Sequence, residues 1–363
     1  MSEKIELNRK QLTLVLANLL TVKMIFAFPR YIFSTSGNAA WIQAIYMTLI
    51  AFALLEITLF LYRFTGNKNI LQMAESIGGA PLKIIVSLIT AVLLAANVGT
   101  EIRIFAESVK IILLPMTEIE YIMLLFAVTV AIGSYSGFRS VSTINAIFFP
   151  FCLFFLGFMS VVLVKNYNIN NLFPIFGKGV EKIFINGLSD MSCFSDIIAL
   201  NLLLPYCRDL DMVKKSGRSA LAVSGAVITL LCLVYGAIYP YPYTSEFFLT
   251  TYQLSRMVRA GEYFQRFEAL FEFVWAITQL LYSSMYICII CSVLGSAFKL
   301  KYKNGLIPCT ITIITFLSYE PGSVAALLDS AERINGYLFP AAYILPISIP
   351  LLYIVLRRAK HEV

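Results

Sequence analysis

The sequence runs as long apolar stretches separated by short polar connections. A membrane-crossing helix needs roughly 20 apolar residues. On that measure the pattern predicts ten spans, near 11–34, 39–62, 81–113, 116–135, 141–164, 184–206, 218–240, 267–298, 304–320 and 336–356. The apolar positions lack the alternation of barrel strands. The expected class is an all-α polytopic membrane protein, a single transmembrane domain over 1–363. The longest connections are 63–80, 165–183 and 241–266. The stretch 165–183, KNYNINNLFPIFGKGVEKI, is polar and turn-rich and leaves five spans on either side. An odd number of spans per half sets the halves in opposite orientation. The expectation is therefore a 5+5 inverted repeat, repeat one over about 11–164 and repeat two over about 184–356. The stretch 250–266, TTYQLSRMVRAGEYFQR, reads as an amphipathic external helix over the bundle.

Composition agrees with a lipid solvent. The chain is 59% hydrophobic and 13% charged, with a mean hydropathy of +0.80. A soluble domain carries about twice that share of charge. The net charge of +7 does not call for nucleic acid, because membrane proteins gather Lys and Arg in cytoplasmic loops. With both termini placed in the cytoplasm, the inner segments hold about twice as many of these residues as the outer ones. The first apolar run has no cleavage site after it and is expected to be retained. Cys288 and Cys291 form a CxxC inside an apolar run with no second pair, which reads as buried packing. The one histidine, His361, lies in the charged tail. Neither a catalytic nucleophile motif nor a cofactor fingerprint is present, so no enzyme activity, cofactor or metal is expected.

Charges inside the spans carry the candidate chemistry. An ionised group at mid-bilayer costs about 2.5–3.5 kcal/mol on insertion scales and needs a partner, water or a function. Lys23 sits near the centre of the first span, in TVKMIFAFPR. Pro29 interrupts that helix and frees carbonyls. Arg30 shares the Lys23 face if the helix is continuous. The sixth span opens with INGLSDMSCFSDIIALN, holding Asn186, Gly187, Asp190, Ser192, Ser195, Asp196 and Asn201. The first and sixth spans are corresponding members of the two halves, and both read as polar or broken. Such a pair points to a central ligand site. The expected pocket lies between the first, third, sixth and eighth spans and is walled by Lys23, Phe26, Asn97, Asp190, Ser192 and Asp196. Lys23 has two readings there. It is a fixed cation at the site, or half of an ion pair with Asp190, Asp196 or an acid of another span. Glu56, an isolated acid in the second span, is one such acid. The blander alternative is a buried pair that only fixes helix packing.

Other charges read as gates or ion pairs. Glu101, Arg103, Glu107 and Lys110 lie in the third span, where spacings of three and four allow local salt bridges. Glu268 and Glu272 lie four apart at the start of the eighth span, read first as a gate or structural cluster and second as a proton site. Trp275 and YPYPY at 239–243 fit an aromatic belt at a membrane interface.

Four stretches together resemble a known family. They are FPR at 28–30, GTEIRIFAESVKIILLPMTE at 99–118, NINNLFPIFGKG at 168–179 and QRFEALFEFVW at 265–275. They resemble the endospore germination permeases, the B subunits of spore nutrient germinant receptors, within the amino acid–polyamine–organocation transporter superfamily. The resemblance covers nearly the whole chain. It implies a LeuT-like ten-span fold with broken first and sixth helices and residence in the inner membrane of the dormant spore. It implies partnership with a membrane A subunit and a lipoprotein C subunit. The implied role is binding a small nutrient, often an amino acid, and triggering release of ions and dipicolinate. The alternative is a proton-coupled amino acid transporter, and a third reading is a scaffold with a vestigial site. The chain departs from the pattern in two places. Val22, Lys23 and Met24 stand where relatives carry a glycine-rich break, so Lys23 is expected to supply the charge. Ser195, Asp196 and Asn201 stand where relatives often have a Gly and a Glu.

Overall fold

The computed structural model describes residues 7–66, 68–258 and 267–361. Among them every regular element is helical. The chain begins with α1 (Arg9–Ile25), α2 (Phe28–Ser36) and α3 (Ala40–Tyr62). Then come α4 (Ile70–Ile112), α5 (Ile119–Tyr135) and α6 (Gly137–Val162). A short α7 (Val180–Phe184) leads into a 3₁₀ segment, Asn186–Ile197, and α8 (Ile198–Leu203). The remainder is α9 (Leu210–Ile238), α10 (Tyr243–Glu246), α11 (Thr250–Met257), α12 (Phe267–Ala297), α13 (Ile307–Tyr319) and α14 (Val324–His361).

Seven helical stretches among the described residues are long and apolar enough to cross a membrane, and Ile119–Tyr135 is a shorter apolar one. The chain is a multi-pass membrane protein. Expected spans one, four and nine fall on α1, α5 and α13. These are 17, 17 and 13 residues long, under the roughly 20 that a crossing needs. The first expected span is also not continuous, because it splits between α1 and α2. The 63–80 connection is more structured than expected, since α4 starts inside it. Asn69 and Gln72 form a capping box at its N-terminus. Eight residues on, Gly78 and Gly79 leave helical geometry. Gly79 takes φ +68°, a backbone state that side chains disfavour, and Pro81 follows, so the helix bends there. Of the expected external helix, 250–257 is α11 and 259–266 lies outside the described residues.

Burial separates the helices into a centre and a rim. Every residue from Val15 to Pro29 is buried. A helix apolar on all sides belongs in the middle of a bundle, and α1 packs there against α9, α6, α12 and the 3₁₀ segment. The outer faces present Leu49, Leu124, Leu125, Phe154 and Phe316, side chains suited to lipid rather than water. Lipid removes the hydrophobic drive between helices, so polar contacts and close packing join them. Asn18 on α1 donates to Asn145 Oδ1 of α6 at 2.6 Å and to the Thr278 carbonyl of α12 at 3.3 Å. Asn145 in turn donates to the Leu14 carbonyl at 2.9 Å. Thr21 and Ser224 share a hydrogen bond of 3.0 Å between α1 and α9.

Helices α3 and α9 approach closely at Gly225. A Cβ at Gly225 would stand 2.3 Å from Thr48 Cγ2 and 3.1 Å from its Cβ. Thr48 is held by its own bond to the Ala44 carbonyl, 2.7 Å. Gly225→Ala should destabilise by about 1–3 kcal/mol through overpacking. Adding Thr48→Ala should recover most of that. Thermal unfolding of the detergent-solubilised protein checks both, and equal melting of all three chains would show the contact is slack.

Candidate functional site

The site lies where two helices come apart. The first break follows α1. Phe26 takes φ −105°, ψ −67°, and α2 restarts with Pro29 in its first turn. Proline has no N–H and its ring crowds the preceding turn, so the carbonyls there lose their helical partners. Phe26 and Ala27 keep negative φ, which is why the break forms without a glycine. The freed carbonyls are taken by α11. The Phe26 carbonyl accepts from Thr250 N at 3.2 Å and from Thr250 Oγ1 at 2.6 Å. The Ile25 carbonyl accepts from the Thr251 hydroxyl.

The second break is the 3₁₀ segment. Asn, Gly, Ser and Asp between 186 and 196 compete with the backbone for hydrogen bonds and are weak helix formers. The tighter winding of 3₁₀ bonds results, and α8 resumes at Ile198. Asn201, on α8, is buried.

Lys23 reaches from one break to the other. Its ammonium donates to the Ser192 carbonyl at 2.8 Å and to Ser195 Oγ at 2.7 Å. It stands 2.6 Å from Asp196 Oδ2, with both side chains almost fully buried at 2% and 1% exposure. That last contact is charge against charge, since Oδ2 accepts no aligned hydrogen bond. Asp196 Oδ1 accepts from Asn97 of α4 at 2.6 Å and from the Tyr286 hydroxyl of α12. Asn97 also donates to Tyr282 Oη at 3.1 Å. Glu101 lies one turn beyond Asn97 on α4 and is buried. Phe26 closes the other side, its ring 4.1 Å from Trp275 and 6.1 Å from Phe271.

The structure thus brings together Lys23, Asn97, Ser192 and Asp196, with Phe26 at the adjoining break against Trp275 and Phe271. Among the acids open to Lys23, it selects Asp196. Asp190 is buried but turned to α3, accepting from Gln43 Nε2 at 2.6 Å. Glu56 is not a partner of Lys23. It forms a bidentate pair with Arg218 of α9 at 2.6 and 2.7 Å, and both side chains are about half exposed. Arg103 pairs with Glu107 at 2.9 Å, as their spacing implied. Arg30 is half-buried beyond the break, so the shared face with Lys23 is lost. Glu268 is half-buried and Glu272 fully buried on α12. Trp275 is 1% exposed, so it is a core residue and not part of an interfacial belt. Tyr241 and Tyr243 do remain exposed. Sequence reasoning missed Tyr282, Tyr286, Gln43, Thr250 and Thr251. The available signals were a tyrosine pair at helical spacing in an apolar run and adjacent threonines opening a short helix.

A buried ion pair loses most when only one partner is removed, about 3–5 kcal/mol, because the survivor is left charged in a low-dielectric site. Lys23→Met and Asp196→Asn should each destabilise by about that amount. The double variant should be more stable than the sum predicts. A double-mutant cycle of unfolding in detergent measures the coupling, and strict additivity would show that the pair contributes nothing.

The comparisons with known proteins bear on this geometry. Two curated relatives come from Bacillus subtilis (strain 168). Spore germination protein B2 is 20% identical over 351 residues, covering 93% of this chain and 90% of that protein. Spore germination protein A2 is 26% identical over 255 residues, covering 68% and 67%. Among solved structures, MhsT in complex with L-phenylalanine superposes with a TM-score of 0.66 at 12% identity, over 98% of this chain and 96% of that one. MHP1, a nucleobase-cation-symport-1 family transporter in a closed conformation with bromovinylhydantoin bound, gives 0.65 at 13% identity, over 92% and 75%. These likenesses show a LeuT-type transporter fold. The family model described as spore germination protein matches residues 6–322, so the chain belongs to the spore germination protein family.

Proposed function

We propose that this chain is the B subunit of a spore germinant receptor and that it binds a small nutrient, an amino acid or a related molecule, where the two broken helices meet. The observation that carries the reading is the Lys23–Asp196 pair, buried between the α1–α2 break and the 3₁₀ segment. A fixed positive and a fixed negative group side by side match the two ends of a zwitterion. The ligand carboxylate would exchange for Asp196 on Lys23. The ligand amine would take the Asp196 carboxylate and the Ile25 and Phe26 carbonyls, which Thr250 and Thr251 now hold. Phe26 and Trp275 would cover the side chain. The proposed ligand set is Lys23, Phe26, Asn97, Ser192 and Asp196, with Asp190 next to it on the 3₁₀ segment. Arg30, Glu56, Glu101, Arg103, Glu107, Glu268 and Glu272 would serve as gate or ion-pair groups.

The same reading assigns ten spans in a 5+5 inverted repeat, about 11–164 and 184–356. The domain is single, and both termini are cytoplasmic in the inner membrane of the spore. Binding would shift the balance between two arrangements of the bundle only by its difference in affinity for them. A and C subunits would read that shift. The transporter likenesses support a second reading, proton-coupled amino acid transport on the same site.

Scintillation-proximity binding of a panel of tritiated L-amino acids, with A and C subunits co-expressed, tests the proposal. One saturable ligand per chain is expected for at least one member, weakened at least tenfold by Lys23→Met. Saturable binding that is indifferent to Lys23 and Asp196 would remove the site. Accumulation in proteoliposomes far beyond one per chain, abolished by an uncoupler, would establish transport instead.

A further inference from the structure

A cavity of about 270 Å³ opens at the end of the bundle where α4 and α6 begin and α8 and α12 finish. None of the residues gathered around Lys23 lines it. Its polar lining is Asn69, Gln72, Tyr206, Ser292, Ser296 and Lys303, and among the described residues no carboxylate lines it. Glu75, the next acid along α4, is closed on Lys83 at 2.8 Å.

The acceptors around this cavity are already engaged. Asn69 Oδ1 accepts from Gln72 N at 2.9 Å, and Gln72 Oε1 accepts from Asn69 N at 3.0 Å. That capping box uses both amide oxygens and leaves both NH₂ groups to donate. The carbonyls that close α12 are capped as well, Leu294 by Phe298 N at 3.0 Å and Gly295 by Leu300 N at 2.9 Å. The Tyr206 carbonyl accepts from Leu7 N at 3.1 Å. The lining therefore offers donors: two amides, an ammonium, and hydroxyls that can turn a proton toward an acceptor.

Lys303 is positioned by its surroundings. Its ammonium reaches Ser292 Oγ at 3.4 Å, and Ser292 Oγ shares a hydrogen bond of 2.9 Å with Tyr206 Oη. The Tyr206 ring is stacked on Phe138 at 5.6 Å and 28°. The lysine stem crosses α12 at Gly295, where a Cβ would stand 2.7 Å from Lys303 Cγ and 3.1 Å from Cδ. A cation with amide and hydroxyl donors beside it, at the positive end of the α4 dipole, suits an anion that carries several oxygens. Just outside the cavity, exposed Phe298, Leu300 and Tyr302 alternate with exposed Lys299, Lys301 and Lys303. Apolar side chains of this kind enter lipid, and the lysines between them attract anionic headgroups.

We propose that this cavity binds the phosphate group of an anionic phospholipid, with Lys303 as its cation and Asn69, Gln72, Ser292 and Ser296 as its hydrogen-bond donors. A soluble phosphate ester presents the same chemistry to these donors. The exposed apolar residues of 298–302 favour the lipid as the source. The site shares no residue with the Lys23–Asp196 pair and does not rest on the nutrient reading.

Calorimetric titration of the delipidated protein in detergent tests this, with dioctanoyl phosphatidylglycerol and glycerol phosphate as the two probes. The expected result is one saturable phosphatidylglycerol per chain. Lys303→Gln should weaken it about tenfold, the loss of one charge-assisted hydrogen bond. Lys301→Gln removes the same charge from the same segment and should change it little. Lys303 is exposed, so its substitution should leave the fold intact, which thermal melting of each variant checks. Gly295→Ala should also weaken binding, because the methyl displaces the lysine stem. Glycerol phosphate that binds as tightly, once per chain and with the same dependence on Lys303, keeps the phosphate site and overturns the lipid source. Absence of saturable binding by both probes overturns the proposal. Equal losses in Lys303→Gln and Lys301→Gln also overturn it, since the charge would then act as a diffuse surface. Neither failure touches the nutrient-binding reading, whose own failure would leave this site standing.

Discussion

The ion pair between Lys23 and Asp196 sets the terms for the rest of the molecule. Two charges at the centre of an apolar bundle are tolerated only if each is neutralised and its remaining valences are filled. The fold meets that demand with four groups from three elements. The lysine takes a backbone carbonyl and a serine hydroxyl from the 3₁₀ segment. The aspartate takes an amide from α4 and a phenol from α12. Helices that are far apart in sequence are held at fixed distances by one electrostatic requirement. The need for free carbonyls near the pair also explains why the surrounding backbone is broken and not continuous helix.

Broken helices in lipid require their own compensation, because unsatisfied backbone groups cost several kcal/mol each. The chain meets this with side chains drawn from the segment between α9 and α12. Thr250 and Thr251 reach the Phe26 and Ile25 carbonyls and so tie the loop helix α11 to the centre of the bundle. The backbone groups a ligand would need and the groups that hold the loop down are the same atoms. On the proposed ligand reading, binding and loop position would compete for one set of hydrogen bonds.

Much of this was legible in the sequence because lipid leaves few options for a charge. A lysine inside a span must find an acid or a carbonyl, and the polar run 185–201 was the richest source of both. The Arg103–Glu107 pair followed from spacing alone. What stayed hidden has physical causes. Tyr282 and Tyr286 read as ordinary aromatic packing, since nothing in a sequence tells which hydroxyl meets an acid. Trp275 looked like an interface anchor because it lies near the start of its span, yet it packs on Phe26. Glu56 was an orphan on paper because Arg218 lies 162 positions away. The break at Phe26 was legible from Pro29 although no glycine accompanies it, since proline with negative φ suffices there. The start of α4 was hidden inside a connection because its apolar pattern is short and its bend depends on Gly79.

The amide relay near the middle of α1 constrains how that helix can move. Asn18 joins α1 to α6 and α12, and Asn145 returns to the Leu14 carbonyl. A one-residue slide would displace α1 by about 1.5 Å along its axis, breaking all three bonds together in a medium with no water to replace them. A tilt centred on that layer would keep them. The relay therefore behaves as a fulcrum, and Lys23, between it and the break, sits on the lever arm. A small rotation at Asn18 becomes a larger lateral displacement of the ammonium. The position of the amides along α1 thus sets the mechanical gain of the bundle.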